Sequence, residues 1–320
     1  MICLGIESTA HTFGVGVVFD GKILSNVKET YHPVSGGIHP REASDFIASR
    51  AADIINAAVR KASIDYSDIN LIAFSRAPGI GHSLRVGLVA AQTLAQSLKI
   101  PLIGVNHCIA HVEVARQLTG FNDPVVLYTS GANTQVIAYQ GGRYRVFAET
   151  LDMGVGNFID SFARYAGIPF PGGPVIEQKA LKGKYIPLPY VVKGMDVSLT
   201  GILTNLRQKL KDHKLDDLCY SLQETVFAML IEVSERALAH CQKNELILTG
   251  GVASNKRLRE MCKIMCDERG AKFSAPPMEY CVDNGAMIGL LGLKMYESGV
   301  KSRIDINQSE RTDEVIVKWR

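Results

Sequence analysis

The sequence predicts an α/β protein built from one mixed-sheet unit used twice. A pattern of strand, polar turn, strand, tight turn and strand runs through residues 2–27 and again through 124–149. Each meander leads into alternating helices and strands, and 320 residues can supply two cores of roughly 150 residues each.

The elements follow from local signals. Residues 2–7 and 14–19 are apolar runs around the polar turn Ser8-Thr9-Ala10-His11-Thr12. Asp20-Gly21 between apolar runs is a strong hairpin signal, which places a third strand over 22–27. In the second copy, strands are expected over 124–128 and 134–140, and Gly141-Gly142 turns the chain into 143–149. After the first meander come helices over 42–61 and 83–98, strands over 70–75 and 101–105, and a helix at His107. After the second come helices near 156–165 and 217–241 and a strand over 245–248. A helix over 255–268, a strand over 272–275 and a helix over 283–296 close that half. Such an order implies mixed sheets with helices on both faces, whose ligands bind beyond the strand ends. The expected division is an N-terminal lobe over 1–122, a C-terminal lobe over 123–298 with an insertion at 168–214, and a tail or linker over 299–320.

Composition narrows the function classes. With 47% hydrophobic and 21% charged residues the chain is an ordinary globular protein, and a net charge of +3 permits an RNA partner without demanding one. The 168–214 insertion carries Lys179, Lys182, Lys184, Lys193, Arg207, Lys209, Lys211 and Lys214, which suit an RNA backbone or simply a solvated surface. Seven scattered cysteines without a Cys-x-x-Cys pair suggest reduced thiols. No apolar run is long enough for a bilayer and no signal peptide opens the chain, so a cytoplasmic protein without membrane partners is expected.

The richest segment is Asn106-His107-Cys108-Ile109-Ala110-His111-Val112-Glu113. Histidines four apart on a helix share one face and can reach a single ion, although such pairs also occur as ordinary polar contacts. Cys108 stands where a zinc hydrolase would have its general-base Glu, and Glu113 falls on a different helix face. Asp283 stands where a loop enters a helix, as a ligand or an N-cap, and Tyr128 ends a buried strand, as a ligand or as core. Two His with Tyr and Asp would form a hard N/O donor set suited to iron or zinc. Tyr128-Thr129-Ser130-Gly131-Ala132-Asn133 and Leu248-Thr249-Gly250-Gly251-Val252 are strand-to-loop turns whose glycines let backbone N–H groups approach an anion. Gly172-Gly173-Pro174 is a third such loop. Asp160 and Glu177 suit ribose hydroxyls, and Asn255 opens a helix favourable to phosphate or ribose. Neither a Walker lysine loop nor a dinucleotide fingerprint is present.

Together these motifs resemble the tRNA threonylcarbamoyladenosine synthase family, TsaD in bacteria. The resemblance runs from Met1 to about Glu297 and includes Gly5-Ile6-Glu7-Ser8-Thr9, the His107 and Tyr128 segments and Val155-Gly156-Asn157-Phe158-Ile159-Asp160. It continues through Pro171-Gly172-Gly173-Pro174, Thr249-Gly250-Gly251-Val252-Ala253-Ser254-Asn255 and Asp283-Asn284-Gly285-Ala286. Ala110-His111 and Gly156-Asn157 look like the archaeal and eukaryotic branch, and the tail Arg311-Thr312-Asp313-Glu314 looks archaeal; Ala132 stands where the family usually has Gly. The resemblance implies the two-lobed actin/sugar-kinase/heat-shock-protein fold. It implies metal ligation by His107, His111 and Asp283, with Tyr128 as ligand or close neighbour, and iron ahead of zinc. It also implies that Tyr128, Thr129, Ser130, Gly131 and Ala132 hold threonylcarbamoyl-AMP and that Asp160, Gly173, Glu177 and Asn255 hold its adenosine. AMP or ATP is an expected ligand as well, the latter with magnesium. The implied activity is acyl transfer to the exocyclic amine of the tRNA adenosine at position 37, in tRNAs that read codons beginning with adenine. The implied partners are tRNA, a small protein kinase that can be fused behind the tail, and other KEOPS subunits including a dimerising one. A metallopeptidase or a small-molecule kinase on the same fold is the alternative.

Overall fold

A computed structural model describes residues 1–33 and 38–320. In chain order the strands and α-helices are β1 (Ile2–Glu7), β2 (Thr12–Phe19), β3 (Lys22–Thr30), α1 (Pro40–Ala62), β4 (Leu71–Ala77), α2 (Gly81–Leu98), β5 (Leu102–Asn106) and α3 (His107–Thr119). Then come β6 (Val125–Thr129), β7 (Thr134–Gln140), β8 (Arg143–Glu149), α4 (Val155–Tyr165), α5 (Gly173–Ala180), β9 (Val192–Lys193), β10 (Asp196–Val197) and α6 (Thr200–Lys209). The last are α7 (Leu215–His240), β11 (Glu245–Thr249), α8 (Lys256–Arg269), β12 (Lys272–Ser274), α9 (Met278–Cys281) and α10 (Gly285–Glu297).

The duplication is visible in the sheets. One has the order β3-β2-β1-β4-β5 and the other β8-β7-β6-β11-β12, so corresponding elements occupy corresponding places. In the first, β1 is antiparallel to β2 and parallel to β4. In the second, β6 is antiparallel to β7 and parallel to β11. Such mixed pairing arises because a short turn, here residues 8–11 and 130–133, can only reverse a strand, whereas a helical crossover returns it in parallel.

Contacts group residues 1–114, 141–144 and 283–320 into one unit and residues 115–140 and 145–282 into the other. That grouping differs from the division expected from chain order at 122/123 and 298/299. Glycines explain the difference. Leu4, Ile6, Val15 and Val17 point from β1 and β2 into a core shared with Ile47, Ile54 and Ala58 of α1 and Ala91 and Ala95 of α2. On the alternate positions Gly5, Gly14 and Gly16 leave the sheet bare, and α10 lies directly on it. A Cβ at Gly16 would sit 2.3 Å from the Ala286 nitrogen, and one at Gly5 would sit 2.2 Å from the Gly289 nitrogen. The last long helix therefore belongs to the first sheet. Residues beyond it also pack on this unit: Gly104 N donates to Ser302 Oγ at 2.7 Å, and Val317 N donates to Gly142 O at 2.9 Å.

The second unit has its own core, in which α7 supplies Leu222, Val226, Phe227, Leu230 and Val233, and α4 supplies Phe158 and Phe162. Besides the single-turn helix α9, two elements lack a counterpart among the sequence expectations, the helix α6 and the short hairpin β9–β10. Both lie within the 168–214 insertion, where the basic residues mask a thin apolar period of Ile202, Leu203 and Leu206. No described helix is long and apolar enough to cross a membrane.

Candidate metal centre and phosphate-loop residues

Strand β5 ends at Asn106, whose Oδ1 accepts from Ile109 N at 3.2 Å and so caps α3 at its first turn. The helix then carries His107 and His111 on one face, with ring centroids 4.7 Å apart in an edge-on arrangement. Asp283 meets both: its Oδ1 lies 3.5 Å from His107 Nε2 and 3.2 Å from His111 Nε2. The three donor atoms fall within 4.8 Å of one another, and both histidines are buried. Asp283 is not the N-cap of α10. Asn284 takes that duty, its side chain accepting from Met287 N at 3.0 Å, so the Asp283 carboxylate is turned to the imidazoles.

Glu7 is the residue that sequence reasoning left without a role. It ends β1, is fully buried, and its Oε2 lies 2.9 Å from His107 Nδ1. Its Oε1 accepts from Thr9 N at 2.7 Å and Thr9 Oγ1 at 2.5 Å. A His107 that keeps its Nδ1 proton on Glu7 would offer Nε2, on the Asp283 side, to an ion once the Nε2 proton is released; this is the usual way a carboxylate orients a ligating imidazole. A buried acid at the last residue of an apolar strand was the available signal. Burial alone lowers the His107 imidazole, but the Glu7 and Asp283 charges outweigh it and push it up to about 9. Burial holds His111 below its ordinary value, Asp283 opposing and the His107 charge adding to the effect. Burial would raise Asp283, but His107 and His111 hold it well below the carboxylate range.

The donor set fits a divalent ion. Ligand bonds of about 2.1 Å put neighbouring donors roughly 3–3.4 Å apart, close to the observed N–O separations. Two imidazole nitrogens, His107 having given up its Nε2 proton to ligate, and a carboxylate form a borderline-hard set that iron and zinc share. Glu113, the acid nearest in sequence, is committed elsewhere: its buried carboxylate accepts from Tyr144 Oη at 2.5 Å, Lys294 Nζ at 3.1 Å and Trp319 Nε1 at 3.2 Å.

The expected nucleotide residues lie in the second unit. Tyr128 and Thr129 end β6 and are buried, while Gly131 and Ala132 are exposed at the tip of the following loop. Ser130 closes that loop: its N and Oγ donate to Asn133 O at 2.8 and 2.9 Å, and its Oγ accepts from Asn133 N. The start of α4 seats on it, with Gly156 N on Ser130 O and Asn157 N on Gly131 O. A Cβ at Gly154 would sit 2.4 Å from Gly131 O, so this approach needs a glycine. Ala132 does not have positive φ, which is why Ala is accommodated there.

Three further candidates are joined by local hydrogen bonds. Asp160 Oδ1 accepts from Gly172 N at 2.8 Å and fixes the loop that opens α5 at Gly173. Glu177 Oε1 accepts from Lys256 N at 2.8 Å at the start of α8. Asn255 caps α8 through Leu258 N and donates from Nδ2 to Gln223 at 2.6 Å.

Solved structures carry the same architecture. Full-length HypF in its phosphate- and nucleotide-bound form superposes with a TM-score of 0.63 at 12% identity, over 94% of this chain and 56% of that one. Component A of the Acidaminococcus fermentans (R)-2-hydroxyglutaryl-CoA dehydratase superposes at 0.57 and 15% identity, over 93% and 99%. This is the actin-like ATPase fold, carrying a His/His/Asp cluster whose two histidines are buried. Residues 22–290 match the family described as TsaD, tRNA N6-adenosine threonylcarbamoyltransferase. The chain belongs to that family. It is 54% identical to the tRNA N6-adenosine threonylcarbamoyltransferase of Thermococcus kodakarensis over the whole of both proteins. It is 53% identical to a Methanothermobacter thermautotrophicus protein named as a probable bifunctional tRNA threonylcarbamoyladenosine biosynthesis protein, covering 100% of this chain and 61% of that protein.

Proposed function

We propose that the chain is the acyltransferase that moves the threonylcarbamoyl group from threonylcarbamoyl-AMP to N6 of adenosine 37 in tRNAs reading codons that begin with adenine, releasing AMP. The observation that carries this reading is the convergence of His107, His111 and Asp283, backed by Glu7, in a chain of this family. His107, His111 and Asp283 hold one divalent ion, iron ahead of zinc, with Tyr128 as a further ligand or neighbour. The ion supplies Lewis acidity to a carbonyl or phosphate oxygen. The substrate is a mixed anhydride that is already activated, so the protein's task is to position it and to stabilise charge. The loop from Tyr128 to Ala132 lies against the acyl-phosphate, with exposed Gly131 and Ala132 offering backbone N–H groups. Asp160, Gly173, Glu177 and Asn255 hold the adenosine, and ATP with magnesium can occupy the same residues. Working partners are tRNA, a small kinase and a dimerising KEOPS subunit. The bifunctional naming of longer relatives supports a second activity acting beside this one.

The hydrolase alternative lacks its base, because Glu113 is occupied by three donors and Cys108 is buried where the base would stand. The test is incubation with threonylcarbamoyl-AMP, unmodified tRNA and partner subunits, followed by mass spectrometry of the nucleosides. Threonylcarbamoyladenosine should form and should vanish in the His107→Ala/His111→Ala variant. Absence of product, or an active double variant, overturns the assignment.

A further inference from the structure

Helix α3 is gripped at two places by the C-terminal segment. At its start, Asn106 caps the helix with Oδ1 and donates from Nδ2 to Glu310 Oε2 at 3.2 Å, so Glu310 fixes which way the capping amide faces. Glu310 also pairs with Arg76 at the end of β4, and Asp305 Oδ1 accepts from the same guanidinium at 2.6 Å. Asn307 N donates to Arg76 O at 2.9 Å. Further along α3, Glu113 receives Trp319 Nε1, and the Arg320 guanidinium lies 5.8 Å from the centre of the Tyr144 ring, whose hydroxyl shares Glu113. His107 and His111 lie between these two holds.

We infer that residues 305–320 are a clasp that positions α3, and that Glu310 and Trp319 are positioning residues for the metal pair. This rests on the proposed metal role of His107 and His111. Neither residue is among the proposed ligands. Each holds a group on the helix that carries the ligands, one at the cap and one a half-turn past His111. A helix whose cap amide is free to turn frays at the end where His107 stands, and one whose Glu113 keeps Tyr144 and Lys294 but not Trp319 is held less firmly just past His111. The two imidazoles then spend less time at ligating separation. Coupling of this kind is reciprocal, so an ion bound between the histidines must tighten the clasp by the same factor.

Trp319 is the sole tryptophan, so its fluorescence reports on the clasp directly. The full chain, stripped of metal, is titrated with Zn²⁺ and with Fe²⁺ under anaerobic conditions, following heat and tryptophan emission. Compared with it are Trp319→Phe, a chain ending at Lys318, and Glu310→Gln, with Arg269→Ala on a remote ion pair as control. Binding should change Trp319 emission in the wild type, and the three clasp variants should bind on the order of tenfold more weakly, as losses of supporting partners usually do. Hydrogen exchange of residues 107–113 should speed up in the same variants and not in the control. Wild-type affinity in all three clasp variants overturns the clasp and leaves the metal reading intact. A wild type that binds neither ion overturns both.

Discussion

Replacing Glu7 with Gln isolates what a single buried carboxylate does for the candidate metal centre. The change keeps the volume but replaces two acceptor oxygens with one acceptor and one donor. In the structure both oxygens are used, Oε1 by Thr9 N and Oγ1 and Oε2 by His107 Nδ1. The new amide must therefore either abandon Thr9 or turn its NH2 toward His107. In the second case an ion-bound His107, whose one remaining proton must sit on Nδ1, would face N–H with N–H, so the imidazole favours the proton on Nε2, the atom 3.5 Å from Asp283 that an ion needs. Loss of such a supporting carboxylate typically weakens metal binding by about 10–100-fold. That corresponds to about 1.4–2.7 kcal/mol, within the range of a charge-assisted hydrogen bond. Calorimetric titration of metal-free wild type and Glu7→Gln with Zn²⁺ reads the difference directly. Circular dichroism at matched temperature establishes that the variant is folded. A folded variant with undiminished affinity would refute the orienting role of Glu7.

Four further outcomes follow from particular contacts. Gly16→Ala should cost at least ~3 kcal/mol in urea unfolding, because the new Cβ meets the Ala286 backbone at 2.3 Å and no side chain there can give way. Asn284→Ala should cost about 1 kcal/mol by removing the cap of α10, and the measurement is again urea unfolding. Asp152 is held at about 2, because the Leu199 and Thr200 amides and Ser198 outweigh the burial that would raise it. A carboxylate lowered on folding adds stability above its unfolded value near 3.8 that is lost as pH falls through about 2. The melting-temperature advantage of wild type over Asp152→Asn should accordingly be present at neutral pH and close in strong acid. The native chain should react slowly with a disulfide reagent at neutral pH, since burial pushes the Cys266 thiol up to about 11 and the Cys219 thiol up to about 12; rapid modification of either would contradict it.

Much of this chain is local in origin and therefore legible in order of sequence. The Asp20-Gly21 and Gly141-Gly142 turns, the apolar strands and the repeat of the meander fix β1–β3 and β6–β8, because a hairpin needs only its neighbours. The His107/His111 spacing likewise sets one helix face by its period alone. Helix α6 escaped because its apolar residues are few and its surroundings basic. What the sequence could not decide was which sheet receives α10, whether Asp283 caps that helix or faces the imidazoles, and what Glu7 does. Each is settled by partners far away in the chain: glycines on β1 and β2 open a surface for α10, Asn284 takes the cap, and β1 delivers Glu7 to a histidine 100 residues later. Periodicity records which face of an element is apolar, but only packing determines what that face meets.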